Sequence, residues 1–302
     1  TFAPAGMHPL KEFFGLLSVI KHVRRIKPDI VHTASPKGNL YGGIAARLCK
    51  VPQLVVAVSG QGFLFTGQRR GIKRVFAAMY LQLIRWVYAH PNCTVIVQNK
   101  DDWQSLLDAK LVKASQLVLI PGSGVDLSLY ADMHIEQAQQ MVVLPARMLS
   151  DKGVLEFVQV AKILKPQFPT WEFVLVGAAD GANPAAISSA QIQQWVAEGA
   201  VAWWGHCSDM LSVYRKASIV CLPSYREGMP KCLLEAAAAA KPIVTTDVVG
   251  CREAIIHAET GLLAPVQNAQ ALAEALAQLM ESAELRIAFG TKGRVRAQQL
   301  FS

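Results

Sequence analysis

No apolar run in the sequence reaches the ~18 residues that a membrane-spanning helix needs. The longest, Phe76 to Tyr88, is interrupted by Gln82 and Arg85. The opening Thr1-Phe2-Ala3-Pro4 lacks the basic start and apolar core of a secretory signal and has no initiator Met, so the chain is expected to begin inside a longer protein or after processing. Cysteine is sparse: Cys49, Cys93, Cys207, Cys221, Cys232 and Cys251 form no C-x-x-C pair and no finger-like spacing with His. They read as reduced, mostly buried thiols in a cytoplasmic protein, with no zinc and no other metal site expected. Both G-x-G-x-x-G and G-x-x-x-x-G-K-[ST] are missing, which leaves a dinucleotide site weakly supported and gives a P-loop no support. Repeats and low-complexity tracts are also lacking; the run Ala236 to Ala240 is simply helix-forming.

What is present points to buried cores. Hydrophobic residues make up 52% of the chain and charged ones 17%, a balance that excludes disorder. The length of 302 residues suits two domains. The formal charge of +8 leaves nucleic acid, an anionic membrane and phosphorylated substrates open. Short, wholly apolar runs at 30–32, 54–58, 94–98, 117–120, 141–144, 173–176, 201–204, 219–222 and 243–246 alternate with helical patterns at 10–25, 40–48, 73–88, 154–164, 210–216, 269–280 and 283–299. Such βα alternation predicts an α/β protein with parallel sheets covered on both faces. The last two helices read as strongly amphipathic. Polar and short residues between Asp126 and Gln140 suggest a domain change at about 138, giving domains 1–138 and 139–302.

The richest motif is Pro223-Ser224-Tyr225-Arg226-Glu227-Gly228-Met229-Pro230-Lys231-Cys232-Leu233-Leu234-Glu235. It leaves a buried strand and enters a helix with Pro230 near its first turn. The free N–H groups of that helix start form an anion site at the carboxyl end of a parallel sheet. Gly228 lets a ligand approach the backbone. Glu227 in the loop and Glu235 further along the helix can face one ligand, one taking sugar hydroxyls and the other a ribose. Taken alone, Glu227 reads more readily as a dipole-complementing acid and Glu235 as a solvated helix residue. A second motif, Arg147-Met148-Leu149-Ser150-Asp151-Lys152-Gly153, again follows a strand. Arg147 and Lys152 there can converge on a diphosphate, or be ordinary surface charges. Trp203-Trp204-Gly205-His206 and Val176-Gly177-Ala178-Ala179-Asp180 end two further strands, with Trp203 read as core. Ser59-Gly60-Gln61-Gly62-Phe63 ends a first-half strand as an acceptor loop or a packed turn; Asp101-Asp102 reads as a helix-start charge pair.

The stretch Glu227 to Glu235 resembles the E-x7-E signature of family 4 glycosyltransferases, extended as P-S-x-x-E-G-x-P-x-x-x-L-E-A. Arg147…Lys152-Gly153, Trp204-Gly205 and Gly250-Cys251-Arg252-Glu253 stand in that family's order, so the resemblance runs over residues 30–302. It implies a GT-B fold, two Rossmann-like domains with parallel sheets facing a cleft, the first incomplete at its N-terminus. It also implies a retaining, metal-independent transfer from a nucleotide-diphosphate sugar, most simply a UDP-sugar, which is a co-substrate and not a cofactor. Arg147 and Lys152 would hold the diphosphate, Glu227 the donor sugar and Glu235 the ribose. Gly177, Gly205, His206, Gly228, Met229, Pro230 and Leu234 would border the donor, and Ser59, Gly60 and Phe63 the acceptor. Asp29-Ile30-Val31-His32-Thr33, with Gly177…Asp180…Asn183-Pro184, is similar to a bacterial branch that extends polyprenyl-diphosphate-linked sugars for surface glycans, often from UDP-N-acetylhexosamines.

Two departures follow. Ser59-Gly60 stands where many relatives carry His-Gly, so a histidine contact to the donor sugar is not expected. The family's first βα units are expected before Thr1 and its returning helix after Ser302. The expected function is sugar transfer from a UDP-sugar to a lipid-linked or glycan hydroxyl; the alternative is a GT-B-like protein that binds a sugar nucleotide without turnover. The Glu227/Glu235 pair argues against an epimerase, and the missing pyridoxal pattern against a phosphorylase. Attachment to the cytoplasmic face of an anionic membrane is a further expectation. Arg69, Arg70, Lys73, Arg74 and Arg85 surround an apolar helix with Val75, Phe76, Met79, Leu83, Trp86 and Val87, just after Phe63 and Phe65. That pattern suits an ordinary domain helix equally well. Nucleic acid is not expected, since no reading motif accompanies the charge.

Overall fold

The computed structural model describes residues 9–58, 72–133, 138–181 and 183–302. The chain divides into two compact units, Thr1–Pro121 and Gly122–Ser302. In the first, α1 (Pro9–Ile26), β1 (Ile30–Ala34), α2 (Pro36–Leu48), β2 (Gln53–Val58), α3 (Ile72–Tyr88), β3 (Cys93–Val97), α4 (Lys100–Asp108) and β4 (Leu117–Leu119) follow in order. The strands form a parallel sheet in the order β1-β2-β3-β4. Ser35 caps α2, with Pro36 in its first turn, and Asn99 caps α4 by accepting from the Asp102 N–H at 2.6 Å. The α2–α3 contact is close because Gly43 has no side chain: a Cβ there would lie 2.2 Å from Val87 Cγ1.

The second unit holds β5 (Met141–Pro145), α5 (Val154–Leu164), β6 (Glu172–Val176), α6 (Ser189–Ala197), β7 (Ala202–Trp203), α7 (Met210–Lys216) and β8 (Ile219–Leu222). It continues through α8 (Lys231–Ala238), β9 (Ile243–Thr246), α9 (Cys251–Ala254), β10 (Gly261–Ala264), α10 (Ala269–Glu281) and α11 (Ala283–Leu300). Six parallel strands run in the order β10-β9-β8-β5-β6-β7. Strand residues alternate between two cores. Val142, Leu144, Phe173 and Leu175 face one with Phe157 and Leu276; Met141, Val143, Val174 and Val176 face the other with Tyr214 and Leu233. Burial on both faces is what the unbroken apolar runs encode. The order reverses between β5 and β8, and ligands of such sheets bind at the carboxyl ends of the strands beside that point.

Three features differ from the sequence reading. Val125, Tyr130 and Met133 are buried in the second unit's core, so the residues after Pro121 belong to it, where composition suggests a change at about 138. Strand β10 and helices α6 and α9 are additions. Helix α11 is not strongly amphipathic: its buried positions are only Phe289, Gly290, Gly293 and Ala297, a narrow face of mostly small residues and not a broad apolar stripe. Of the helix expected at a membrane, Arg69 and Arg70, and the side chains of Lys73, Arg74, Val75 and Phe76, lie outside the described residues.

Candidate functional site

Because every strand of the second sheet is parallel, the segments after β5, β6, β7, β8 and β9 leave from one edge. Those after β5 and β8 flank the switch point and are knitted together by backbone. Gly153 has φ 72°, and a Cβ on it would lie 2.1 Å from the Pro223 carbonyl oxygen. Only glycine accepts both the left-handed conformation and that approach. The Tyr225 N–H donates to the Asp151 carbonyl at 2.9 Å. From β9, Gly250 (φ 81°) lies under the next part of the loop, where its Cβ would meet the Glu227 oxygen at 2.4 Å. The Glu227 N–H in turn donates to the Val249 carbonyl at 3.1 Å.

This frame brings two predicted residues into direct contact. The Lys152 ammonium donates to Glu227 Oε1 at 2.5 Å, and the Ser224 hydroxyl donates to the same oxygen at 2.6 Å. Lys152 and Glu227 are largely withdrawn from water, with side chains 19% and 14% exposed, so the pair is much less screened than a surface one. Glu235 is held separately: the Tyr214 hydroxyl donates to Oε2 at 3.0 Å, and Lys231 lies 3.4 Å from Oε1. Burial, and then the Glu227 carboxylate with Cys251 and Glu235 contributing, pushes the Cys232 thiol up. Burial also raises the Tyr214 phenol, with Glu235 adding to it, so Tyr214 stays a donor.

Arg147 is elsewhere occupied. Its Nη1 lies 3.0 Å from Asp180 Oδ2, and its side chain is 59% exposed. Gly177 abuts the β5 end, where a Cβ would be 1.8 Å from the Ala146 oxygen. Its N–H donates to the Gly205 carbonyl at 2.7 Å, and its carbonyl accepts from the Trp203 indole at 2.9 Å. Trp203 is therefore part-buried structure, while His206 is exposed beside the Gly205 turn. Met229 and Leu234 are buried and pack around Gly122, so their side chains shape the loop from beneath. Pro230 is the N-cap of α8. Ser59, Gly60 and Phe63 lie outside the described residues. The sequence named Ser224 without a role and did not single out Tyr214; nothing local marks either, because each acts across the fold.

Helix starts separate into two kinds. Helices α2, α4, α6, α7, α10 and α11 each begin with a side-chain cap from Ser, Asn or Asp. Helices α5, α8 and α9, which begin from the knitted loops, have none. The uncapped first turns of α5 and α8 turn N–H groups and the positive ends of their dipoles toward whatever sits at the sheet edge. Together with Lys152 such turns can receive an anion, and Glu227 beside them can accept hydrogen bonds from hydroxyls. Among the described residues no group of three or more His, Cys, Asp or Glu is gathered as for a metal ion.

The family model described as "Glycosyl transferases group 1" matches residues 131–296, and "Glycosyl transferase 4-like" matches residues 4–99. The chain belongs to the group 1 glycosyl transferases. It is 32% identical to the N,N'-diacetylbacillosaminyl-diphospho-undecaprenol alpha-1,3-N-acetylgalactosaminyltransferase of Campylobacter jejuni, over 95% of this chain and 77% of that protein. It is 25% identical to an Escherichia coli UDP-Gal:alpha-D-GlcNAc-diphosphoundecaprenol alpha-1,3-galactosyltransferase, over 92% of this chain and 73% of that one. Anabaena HepE, solved in complex with UDP, shares the fold at a TM-score of 0.77 and 19% identity, over 95% of this chain and 78% of that one. In this group 1 glycosyl transferase, Glu227 and Glu235 belong to the segment that follows β8, beside the switch point of a Rossmann-ordered sheet.

Proposed function

We propose that the protein moves a hexose or N-acetylhexosamine from a UDP-sugar to a hydroxyl of a glycan carried on a polyprenyl diphosphate, with retention of configuration and without a metal. The observation that carries this is the Lys152–Glu227–Ser224 cluster, set between uncapped helix starts at the switch point. The Campylobacter and Escherichia relatives act on undecaprenol-diphosphate-borne sugars by name, which supports the acceptor class. The HepE complex supports UDP as the leaving group. Lys152 and the first turn of α8 stabilise the charge that grows on the diphosphate as the glycosidic bond breaks, an electrostatic contribution that usually dominates such reactions. Glu227 takes a hydroxyl of the donor sugar, Glu235 the ribose, and Arg147 swings from Asp180 to the phosphates. Work at the cytoplasmic face of a membrane follows from the lipid-borne acceptor.

Calorimetric titration with UDP in the presence of EDTA tests the site. Lys152→Met is expected to weaken binding by about 1.5–3 kcal/mol, and Arg147→Ala by less because that side chain is exposed. Wild-type affinity in both variants, or loss of binding on adding EDTA, overturns the assignment. Donor consumption without a glycosylated product would leave a sugar-nucleotide hydrolase, and binding without either a non-catalytic protein. The anomeric coupling of the product decides retention.

A further inference from the structure

Glu235 has two partners of unequal hold. The Lys231 ammonium, one turn earlier on α8, lies 3.4 Å from Oε1, but its side chain is 64% exposed. An exposed i,i+4 pair is screened and fixes a carboxylate only loosely. The Tyr214 hydroxyl donates to Oε2 at 3.0 Å from a fully buried side chain. Helix α7 is capped by Asp209, which accepts from the Ser212 N–H at 3.1 Å. The Tyr214 ring shares a core with Leu233, Leu234 and Tyr130, the two tyrosine centroids being 6.3 Å apart. A phenol oxygen lies on the ring axis, so turning the enclosed ring does not move it. The hydroxyl has one hydrogen and two acceptors in reach, since the Cys232 carbonyl is 3.1 Å away. An ionised carboxylate is the stronger acceptor, so the hydrogen goes to Glu235.

We propose that Tyr214 is a positioning residue that sets the preference for a ribonucleotide: its hydroxyl keeps the Glu235 carboxylate from folding onto Lys231 and presents it to the vicinal hydroxyls of the ribose. The inference rests on the assignment of Glu235 to the ribose made above. The two hydroxyls of a ribose stand at a fixed spacing, and one carboxylate accepts from both only when its orientation suits them. Each carboxylate oxygen offers about two lone-pair sites. Tyr214 occupies one on Oε2, which leaves acceptor sites on both oxygens for the ligand. An acid held in place before the ligand arrives avoids the entropic cost of being ordered on binding. Without the phenol hydroxyl, Lys231 is the partner left to Glu235 among the described contacts. Its ammonium would then draw the carboxylate toward itself and compete with the hydroxyls. Tyr214 comes before β8 and Glu235 after it, and they meet because α7 and α8 pack into the same core on one face of the sheet.

The experiment is calorimetric titration of the 302-residue chain with UDP, 2′-deoxy-UDP and 3′-deoxy-UDP. The unaltered chain is expected to bind UDP roughly tenfold or more tighter than either analogue, the effect of one lost hydrogen bond to a charged group. Tyr214→Phe should weaken UDP roughly tenfold and the analogues much less, so that the preference shrinks to roughly threefold or below. A purely structural role would weaken all three ligands alike and leave their ratio unmoved. Circular dichroism and the thermal midpoint confirm folding. Should Tyr214→Phe not fold, Lys231→Gln decides, because that side chain is exposed. It is expected to keep the preference; a preference lost there would assign the orientation of Glu235 to Lys231 and overturn the proposal. An undiminished preference in folded Tyr214→Phe overturns it equally. If the unaltered chain binds all three ligands alike, the ribose assignment of Glu235 falls too, which distinguishes that failure from the failure of Tyr214 alone.

Discussion

Glu227 has two carboxylate oxygens, and Lys152 and Ser224 both donate to Oε1, which leaves Oε2 for a ligand hydroxyl. Removing the Ser224 hydroxyl should loosen the orientation of that carboxylate. Ser224→Ala is expected to weaken UDP-sugar binding by about 1 kcal/mol or more while affecting UDP less. Glu227→Gln should show the same asymmetry more strongly, and Glu235→Gln should weaken both ligands alike; calorimetry with the ligand pair reads all three. Equal effects of Glu227→Gln on UDP and UDP-sugar would make it a structural acid only. Lys241, away from these contacts, is fully buried, and its ammonium finds no hydrogen-bond partner among the described residues. Burial, helped by Arg294, lowers its pKa from 10.5 to about 8. The unfolded chain therefore binds more protons between pH 8 and 10.5, so this residue makes stability rise with pH across that window. Below it the cost of a buried charge is fully felt. Lys241→Met should add about 3 kcal/mol at pH 7 and flatten that rise, as urea unfolding at several pH values would show.

At the scale of elements, the site depends on loops whose conformations only glycine accepts. Gly153→Ala would place a methyl group 2.1 Å from the Pro223 oxygen at φ 72°, so the β5 and β8 loops must part. The expected cost is about 2–4 kcal/mol of stability together with loss of UDP binding; a variant that keeps full affinity would show that the two loops need not be joined. Strands β5, β6, β8 and β9 were legible in the sequence because each is buried on both faces and reads as a nearly unbroken apolar run, whereas β1, β2 and β3 keep one face less covered. Strand β10 escaped because it opens on Gly261, which leaves only Leu262, Leu263 and Ala264 as its apolar run. Helix α11 misled because Arg294 and Arg296, charged in sequence, turn to the backbone oxygens of Ala238, Tyr130, Met133 and Glu253. The paired acids and Lys152 were legible from motif spacing. The Ser224 and Tyr214 partnerships were not, since they depend on which strand ends the topology sets side by side.

For the whole molecule, the division between units decides what can fold alone. Composition pointed to about 138 because residues 126–140 are polar, yet the apolar minority among their neighbours does the packing. Val125, Tyr130 and Met133 are each less than 9% exposed within the second unit's core. The Val125 N–H donates to the Phe301 carbonyl at 2.8 Å, and Arg294 donates to the Tyr130 and Met133 carbonyls. Burial of three such side chains is worth roughly 4–9 kcal/mol, about as much as the net stability of a typical domain. A fragment of residues 122–302 is therefore expected to fold cooperatively and bind UDP, and one of residues 139–302 to be molten or insoluble. Chemical denaturation of the two fragments, read by near-ultraviolet circular dichroism, makes the comparison. Equal midpoints would show that the 122–138 segment only lies on the second unit without stabilising it. A folded 122–302 fragment that failed to bind UDP would instead show that nucleotide recognition needs residues of the first unit as well.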